Sequence, residues 1–325
     1  MTVFIIRRLL QSLVVVVVMS FIVFAGVNIV GDPVEMMVSD EATQEEREKV
    51  IQAMGLDKPW YVQYARFVGG ALEGNLGKSF IYGEPALGII VQRMPATLEL
   101  AFAALLLAVV IGIPLGVYAG LRPNGIGAKT VMAGSILGFS LPTFWVGLMF
   151  IMVFAVMLGW LPSTGRGDTA PFLGVQVSFL TLDGLAHLLL PAINLALFKI
   201  SLVIRLARAG TREAALQDYI KFARAKGLSA SRIVMVHLMK NIMIPVVTVL
   251  GLEFGGLIAF SVVTETVFAW PGMGKLIIDS IQTLDRPVIV AYLMIVVLIF
   301  VVINLVVDIL YSVLDPRVRL RDAAS

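Results

Sequence analysis

The sequence predicts an all-α, polytopic membrane protein built on six transmembrane helices, and three observations carry that expectation. Hydrophobic residues make up 59% of the 325 and charged residues only 14%, against about 25% charged in soluble chains, and mean hydropathy is +0.94. Apolar runs with at most one ionisable residue recur along the chain, each near the roughly 20 residues that a helix needs to cross a bilayer core. Lysines and arginines gather between alternate runs, the asymmetry that orients membrane proteins.

The first run, Leu9 to Val30, follows Arg7 and Arg8 and exceeds the roughly 7–15 residues of a cleavable signal core, so it reads as a retained helix. Leu100 to Leu121 lies between Glu99 and Arg122, and Thr130 to about Leu158 lies between Lys129 and Leu161-Pro162; these are the second and third spans. His187 to Leu206 contains Lys199, and Ile242 to Val263 contains Glu253; they are read as spans four and five. Val288 to Tyr311, apolar until Asp308 and followed by Arg317, Arg319 and Arg321, is the sixth.

With Arg7 and Arg8 placed in the cytoplasm, the loop holding Arg122 and Lys129, the 207–241 segment and the C-terminus fall on the same side. The 207–241 segment carries Arg208, Arg212, Lys221, Arg224, Lys226, Arg232 and Lys240 against Glu213 and Asp218, as the positive-inside rule requires. Both termini are then cytoplasmic, and residues 31–96, 159–186 and 264–287 face the other side.

Several motifs exclude themselves. The chain has no cysteine, and its two histidines, His187 and His237, are far apart, so no metal site is expected. Gly74-Asn75-Leu76-Gly77-Lys78-Ser79 ends like a phosphate-binding loop, but Leu72 occupies the place of the first glycine. The motif is therefore set aside as a nucleotide site. Ser135 and Ser140 lie in no nucleophile elbow, so no catalytic residue is named.

Ionisable groups inside a bilayer normally face protein or a cavity. Glu253 is read either as a lining group of a solute path or as a hydrogen-bond partner between helices. Lys199 is close enough to Arg205 for its stem to snorkel toward the cytoplasm. Glu99 and Asp308 are read as structural carboxylates near span ends.

The segment Gln217-Asp218-Tyr219-Ile220-Lys221-Phe222-Ala223-Arg224-Ala225-Lys226-Gly227-Leu228-Ser229 favours a short helix stopped by Gly227. Ser229 or Ser231 caps a second helix returning to the membrane. Tyr219 and Phe222 share a face, too aromatic to stay bare in the cytoplasm. A lipid-surface helix and a nucleic-acid-binding fragment are the bland readings; tethering at both ends excludes nucleic acid.

Arg212-Glu213-Ala214, Asp218-Tyr219-Ile220, Ala223-Arg224-Ala225-Lys226-Gly227-Leu228 and Asn241-x-x-Ile244-Pro245 resemble the coupling segment of dipeptide and oligopeptide ABC transporter permeases. The likeness extends to Gly31-Asp32-Pro33, Gly55-Leu56-Asp57-x-Pro59, Gly74-x-Leu76-Gly77, Thr97-Leu98-Glu99-Leu100 and Gly112-Ile113-Pro114-x-Gly116. It continues through Leu161-Pro162-x-x-Gly165-Arg166, His187-x-x-Leu190-Pro191, Thr264-Glu265-x-x-Phe268-x-Trp270-Pro271-Gly272-x-Gly274 and Asp315-Pro316-Arg317.

The resemblance implies a type I importer permease fold in a bacterial inner membrane. It divides the chain into an N-terminal helix (1–30), an extracytoplasmic segment (31–96) and a core permease region (97–325) holding the coupling segment at about 207–241. It implies a second permease, two cytoplasmic ATPases and an extracytoplasmic solute-binding protein as partners, with membrane lipid around them and no cofactor. Residues Asp218 to Leu228 would sit in an ATPase cleft. Glu253, Glu265, Trp270, Pro271 and Gly272 are the candidates for the translocation path or an external gate, with Trp270-Pro271-Gly272 expected to form a type II turn. The rival reading, an ion-coupled secondary carrier, would need a coupling site in repeated halves, and no internal repeat is visible.

Overall fold

The computed structural model describes residues 2–29, 43–54 and 56–314. Gly31-Asp32-Pro33, Glu41, Gly55, Asp315-Pro316-Arg317 and the arginines after them lie outside the described residues. The element order is α1 (Thr2–Ile29), α2 (Gln44–Met54), α3 (Trp60–Leu72), α4 (Ala86–Leu121), α5 (Ile126–Ser140), α6 (Thr143–Phe150, continuing as a π-helical stretch Ile151–Met157), β1 (Ala170–Phe172) and β2 (Val175–Val177). There follow α7 (Leu182–Ala215), α8 (Asp218–Ala225), α9 (Ala230–Arg232, continuing as a π-helical stretch Ile233–Leu238), α10 (Met239–Val267), α11 (Met273–Gln282) and α12 (Arg286–Leu314). Two compact units result: Arg93–Lys275 with the stretch from Ile303 onward, and Thr2–Gln92 with Leu276–Val302.

In the second of these units α1 is apolar on all sides, as a lipid-facing span is. It meets α3 through aromatic rings, Phe21 and Phe24 lying 5.5 and 5.4 Å from Tyr64. Ser20 and the Tyr64 hydroxyl share a 2.8 Å hydrogen bond. The phosphate-loop look-alike has a structural use here: the buried Ser79 hydroxyl donates to the buried Asp285 carboxylate, which also accepts from the Phe80 N–H at 3.2 Å. Gly77, at φ 95°, makes the close approach to Pro287.

In the first unit, α4 and α7 run parallel along a ridge of small residues. A Cβ placed on Gly112, Gly116 or Gly120 would lie 2.5–2.7 Å from Val203, Ala207 and Thr211 in turn. Spacing by four keeps all three glycines on one face, and small residues let helices approach closely where lipid supplies no hydrophobic drive. Leu238, Ile242, Val246 and Leu250 complete this core. α4 has 36 residues, about 54 Å, so it outruns the bilayer core.

The third span differs from the single helix that the sequence predicts. α5 and α6 meet at a bend of 106°, because Pro142 removes an N–H and forces Leu141 into an extended conformation (φ −83°, ψ 137°). The two helices follow the flank of α7 on either side of the break. Gly138 of α5 lies beside Ser201 of α7, whereas Gly147 of α6 lies beside Asn194 of α7 and Val267 of α10. Counting the pair as one span gives six candidate spans among the described residues.

Candidate functional site

The 217–238 segment folds as its residues dictate. α8 is only eight residues long, too short to hold itself in water, and is fixed at its end and along one face. Gly227, at φ 74°, donates to the Arg224 carbonyl at 2.9 Å while Leu228 N–H donates to the Ala223 carbonyl at 3.3 Å, the two bonds of a Schellman stop. Leu228 then packs with the buried Ile220, Ala223 and Ile233. Ser229 caps α9, accepting from the Arg232 N–H.

What remains outward is aromatic. Phe222 is 62% exposed and Tyr219 40% exposed. The Tyr219 hydroxyl accepts from Asn241 at 2.7 Å, and the Lys226 ammonium lies 4.6 Å from the Phe222 ring centre. Asp218 and Lys221 pair at 2.8 Å in solvent, an exposed contact of about 0–1 kcal/mol. Of the predicted coupling residues, Ile220 and Ala223 hold the helix, Gly227 and Leu228 stop it, and Tyr219 and Phe222 form the free surface.

Near the middle of the spans, Lys199 of α7 and Glu253 of α10 form an ion pair, the lysine side chain 7% and the glutamate 35% exposed. Lys199 thus stays inside rather than snorkelling, since a counter-charge one helix away satisfies it. The Lys199 ammonium is 5.1 Å from the Phe198 ring centre, and Phe198 stacks on Phe139 of α5 at 4.6 Å. A line of contacts therefore joins Glu253 to the break in the third span. The break was missed because the Leu141-Pro142 pair stands in an uninterrupted apolar run; the proline itself is the signal.

At the outer end, Glu265 is fully buried. Its carboxylate accepts from Thr97 (2.8 Å), Ser261 (2.9 Å) and the Lys275 N–H (2.9 Å). Trp270 is fully buried as well, its indole N–H donating to the Ala96 carbonyl at 2.9 Å. Thr97 Oγ1 accepts from the Met273 N–H at 2.8 Å. The gate expected of Glu265, Trp270, Pro271 and Gly272 is thus, in this structure, a closed scaffold: hydrogen bonds to α4 use the polar atoms that would meet a solute. Nor is the turn type II. Gly272 N–H donates to the Trp270 carbonyl at 2.8 Å, a three-residue turn, and the positive φ falls on Ala269 at 47°. The glycine is needed because a Cβ would sit 2.5 Å from Thr97 Oγ1.

Glu99 is more than a span-end carboxylate. It is buried and accepts from Arg166 (2.6 Å), from both the N–H and the hydroxyl of Ser178 (2.7 Å each) and from the Phe179 N–H (2.9 Å). Arg166 also lies 5.9 Å from the Trp270 ring centre. This network fastens the β1–β2 hairpin to α4. Beside it an apolar cleft of about 840 Å³ is lined by Leu98, Phe102, Phe172, Leu173, Leu185 and Leu189 among others; among its lining groups only Glu99, turned to Arg166 and Ser178, is charged.

Residues 112–320 match the family model described as binding-protein-dependent transport system inner membrane component, and residues 1–101 match its N-terminal companion. The chain belongs to this family. The di/tripeptide transport system permease protein DppB of Pseudomonas aeruginosa (strain UCBPP-PA14) is 40% identical, over 92% of this chain and 94% of that protein. The oligopeptide transport system permease protein AppB of Bacillus subtilis (strain 168) is 38% identical over 98% and 100%. The glutathione transport system permease protein GsiC of Escherichia coli O6:H1 is 36% identical over 97% and 98%. Among solved structures, a chain of the inward-facing MetNI methionine ABC transporter superposes with a TM-score of 0.56 at 20% identity, covering 71% of this chain and 99% of that one. The chain is accordingly a multi-pass permease subunit of an ABC importer with the MetNI-like fold, and the ion-coupled carrier is set aside. Binding-protein-dependent systems of this family work with an ATPase and a solute-binding protein; their permease subunits are, as a rule, not themselves catalytic.

Proposed function

We propose that this permease carries di- or oligopeptides, or solutes of peptide-like chemistry, and that α8 is the element through which ATPase closure reaches its spans. The outward aromatic face of α8 carries the reading: a large ring held 62% exposed, on a helix whose other face is locked, is shaped to fill a pocket of another protein. The basic excess of residues 207–241 supports a cytoplasmic side for α8, where ATPases reside. A second permease completes the path, two ATPases dock below, and the binding protein delivers solute to the opposite face. The relatives' peptide and glutathione substrates support a peptide-like solute, chosen largely by the binding protein.

The test is Phe222→Ala in the complete transporter, reconstituted with its binding protein. Truncating an aromatic anchor removes about 2 kcal/mol or more, roughly 30-fold in occupancy of the docked state. Solute-stimulated ATP hydrolysis should fall by that order while the spans insert normally. Val14→Ala, on the exposed face of α1 and outside the coupling segment, should hydrolyse ATP like the parent. Undiminished stimulation in Phe222→Ala would refute the coupling role.

A further inference from the structure

The break in the third span poses a problem that the chain alone does not solve. Residues 139–145 are all exposed, and the first turn of α6 carries no side-chain cap. Pro142 has no N–H for the Gly138 carbonyl, and the carbonyls of the last turn of α5 lie where the helix ends. Leu141 N–H closes only onto Leu137, at 3.2 Å. The depth is set by Phe139, stacked on Phe198 in the middle of α7. In hydrocarbon each unsatisfied backbone group costs several kcal/mol, so irregular backbone at this depth is tolerated only where protein buries it or water reaches it.

A second observation chooses water. One ring contact away sits the Lys199–Glu253 pair, its carboxylate side chain 35% exposed. A partly open carboxylate at mid-depth faces a cavity rather than lipid or a dry interface. Ser140 and Thr143 flank the break with hydroxyls, and nothing lies within 4 Å of the position a Gly134 Cβ would take nearly two turns earlier in α5.

Resting on the peptide-importer reading above, we propose that Ser140–Thr143 line the water-filled solute path at the membrane midplane, the backbone carbonyls ending α5 receiving N–H groups of an extended peptide. A helix C-terminus presents partial negative charge, suited to amide N–H and ammonium donors. Recognition through main-chain groups on both sides would tolerate varied solute side chains. Glu253 stands by as the charged partner for a terminal ammonium.

The chain has no cysteine, so an introduced cysteine is its only thiol, and labelling is read on this subunit alone after denaturing electrophoresis. In the complete transporter with its binding protein, Ser140→Cys, Leu141→Cys and Thr143→Cys would be treated with a membrane-impermeant, cationic methanethiosulfonate. Val14→Cys, on the exposed face of α1, is the lipid control. Thiolate forms in water and is suppressed in apolar surroundings, so labelling at the break should be at least about tenfold faster than at Val14→Cys, and a mixture of di- and trialanine with ATP should slow it. Co-elution of the subunits verifies assembly for each variant, and Ser140→Cys is nearly isosteric. Labelling no faster than at Val14→Cys, or labelling indifferent to peptide in a preparation whose ATPase the peptides stimulate, would overturn the proposal. Absence of stimulation in the unsubstituted transporter by di- and trialanine, by a pentapeptide and by glutathione would instead overturn the peptide reading on which it rests.

Discussion

Substituting Gly116 by alanine tests the packing that holds α4 to α7. The added Cβ would lie 2.6 Å from the Ala207 Cβ, 2.6 Å from the Ile204 carbonyl oxygen and 3.1 Å from the Ile204 Cα. None of these atoms can rotate aside. Carbon atoms settle at about 3.5–4.0 Å, so the helices must part by about 1 Å. Overpacking of this kind costs about 1–3 kcal/mol, while alanine gains up to about 1 kcal/mol over glycine in helix propensity. The clash wins, and the net loss should be about 1–2 kcal/mol. Gly134→Ala isolates the opposing effect: with nothing within 4 Å of its Cβ, only propensity acts and the sign reverses. Unfolding in mixed micelles with increasing denaturing detergent, followed by far-ultraviolet circular dichroism, reads both. A Gly116→Ala variant as stable as the parent, or a Gly134→Ala variant equally weakened, would refute the packing argument.

Three further outcomes are expected. Glu99→Ala strips acceptors from the buried Ser178 and from Arg166, and should lower stability by about 3 kcal/mol; a loss under about 1 kcal/mol, measured by the same unfolding, would contradict the network. Glu253→Met leaves Lys199 buried without its counter-charge, whereas Lys199→Met with Glu253→Met removes both; the double-mutant cycle should show a coupling of about 1–3 kcal/mol, and additive losses would mean the pair is idle. Ser79→Ala takes a donor from the buried Asp285 and should cost about 1–3 kcal/mol with no effect on nucleotide binding by the chain, which radioligand filtration can check.

Composition and charge were enough to read the spans, because hydropathy acts locally: each of the six runs contains its own evidence. The helix break at 226–229 was legible for the same reason, since Gly227, Leu228 and Ser229 encode one stop and the next start within a few residues. The outer scaffold was not. That Glu265 would be consumed by Thr97 and Ser261, or Trp270 by Ala96, depends on partners up to 174 positions away, and a buried tryptophan and an exposed one look alike in a sequence. Lys199 and Glu253 were each visible as anomalies, but their pairing is a property of how α7 meets α10. The broken third span lay between these cases: Pro142 was in plain view, while the bend depends on how α5 and α6 divide the flank of α7.

α8 hangs between two outlets that differ in kind. On one side, only Leu216 and Gln217 separate it from α7, and the glycine ridge binds α7 to α4 at backbone distance. Neither of those helices can slide or turn against the other without a steric collision, so a displacement entering there leaves as a tilt of both together. On the other side, Ile233–Leu238 is wound in π form, carrying slack in its hydrogen-bond register. A push on α8 would thus reach the spans through two outlets of unlike stiffness, one that can only tilt and one that can also give.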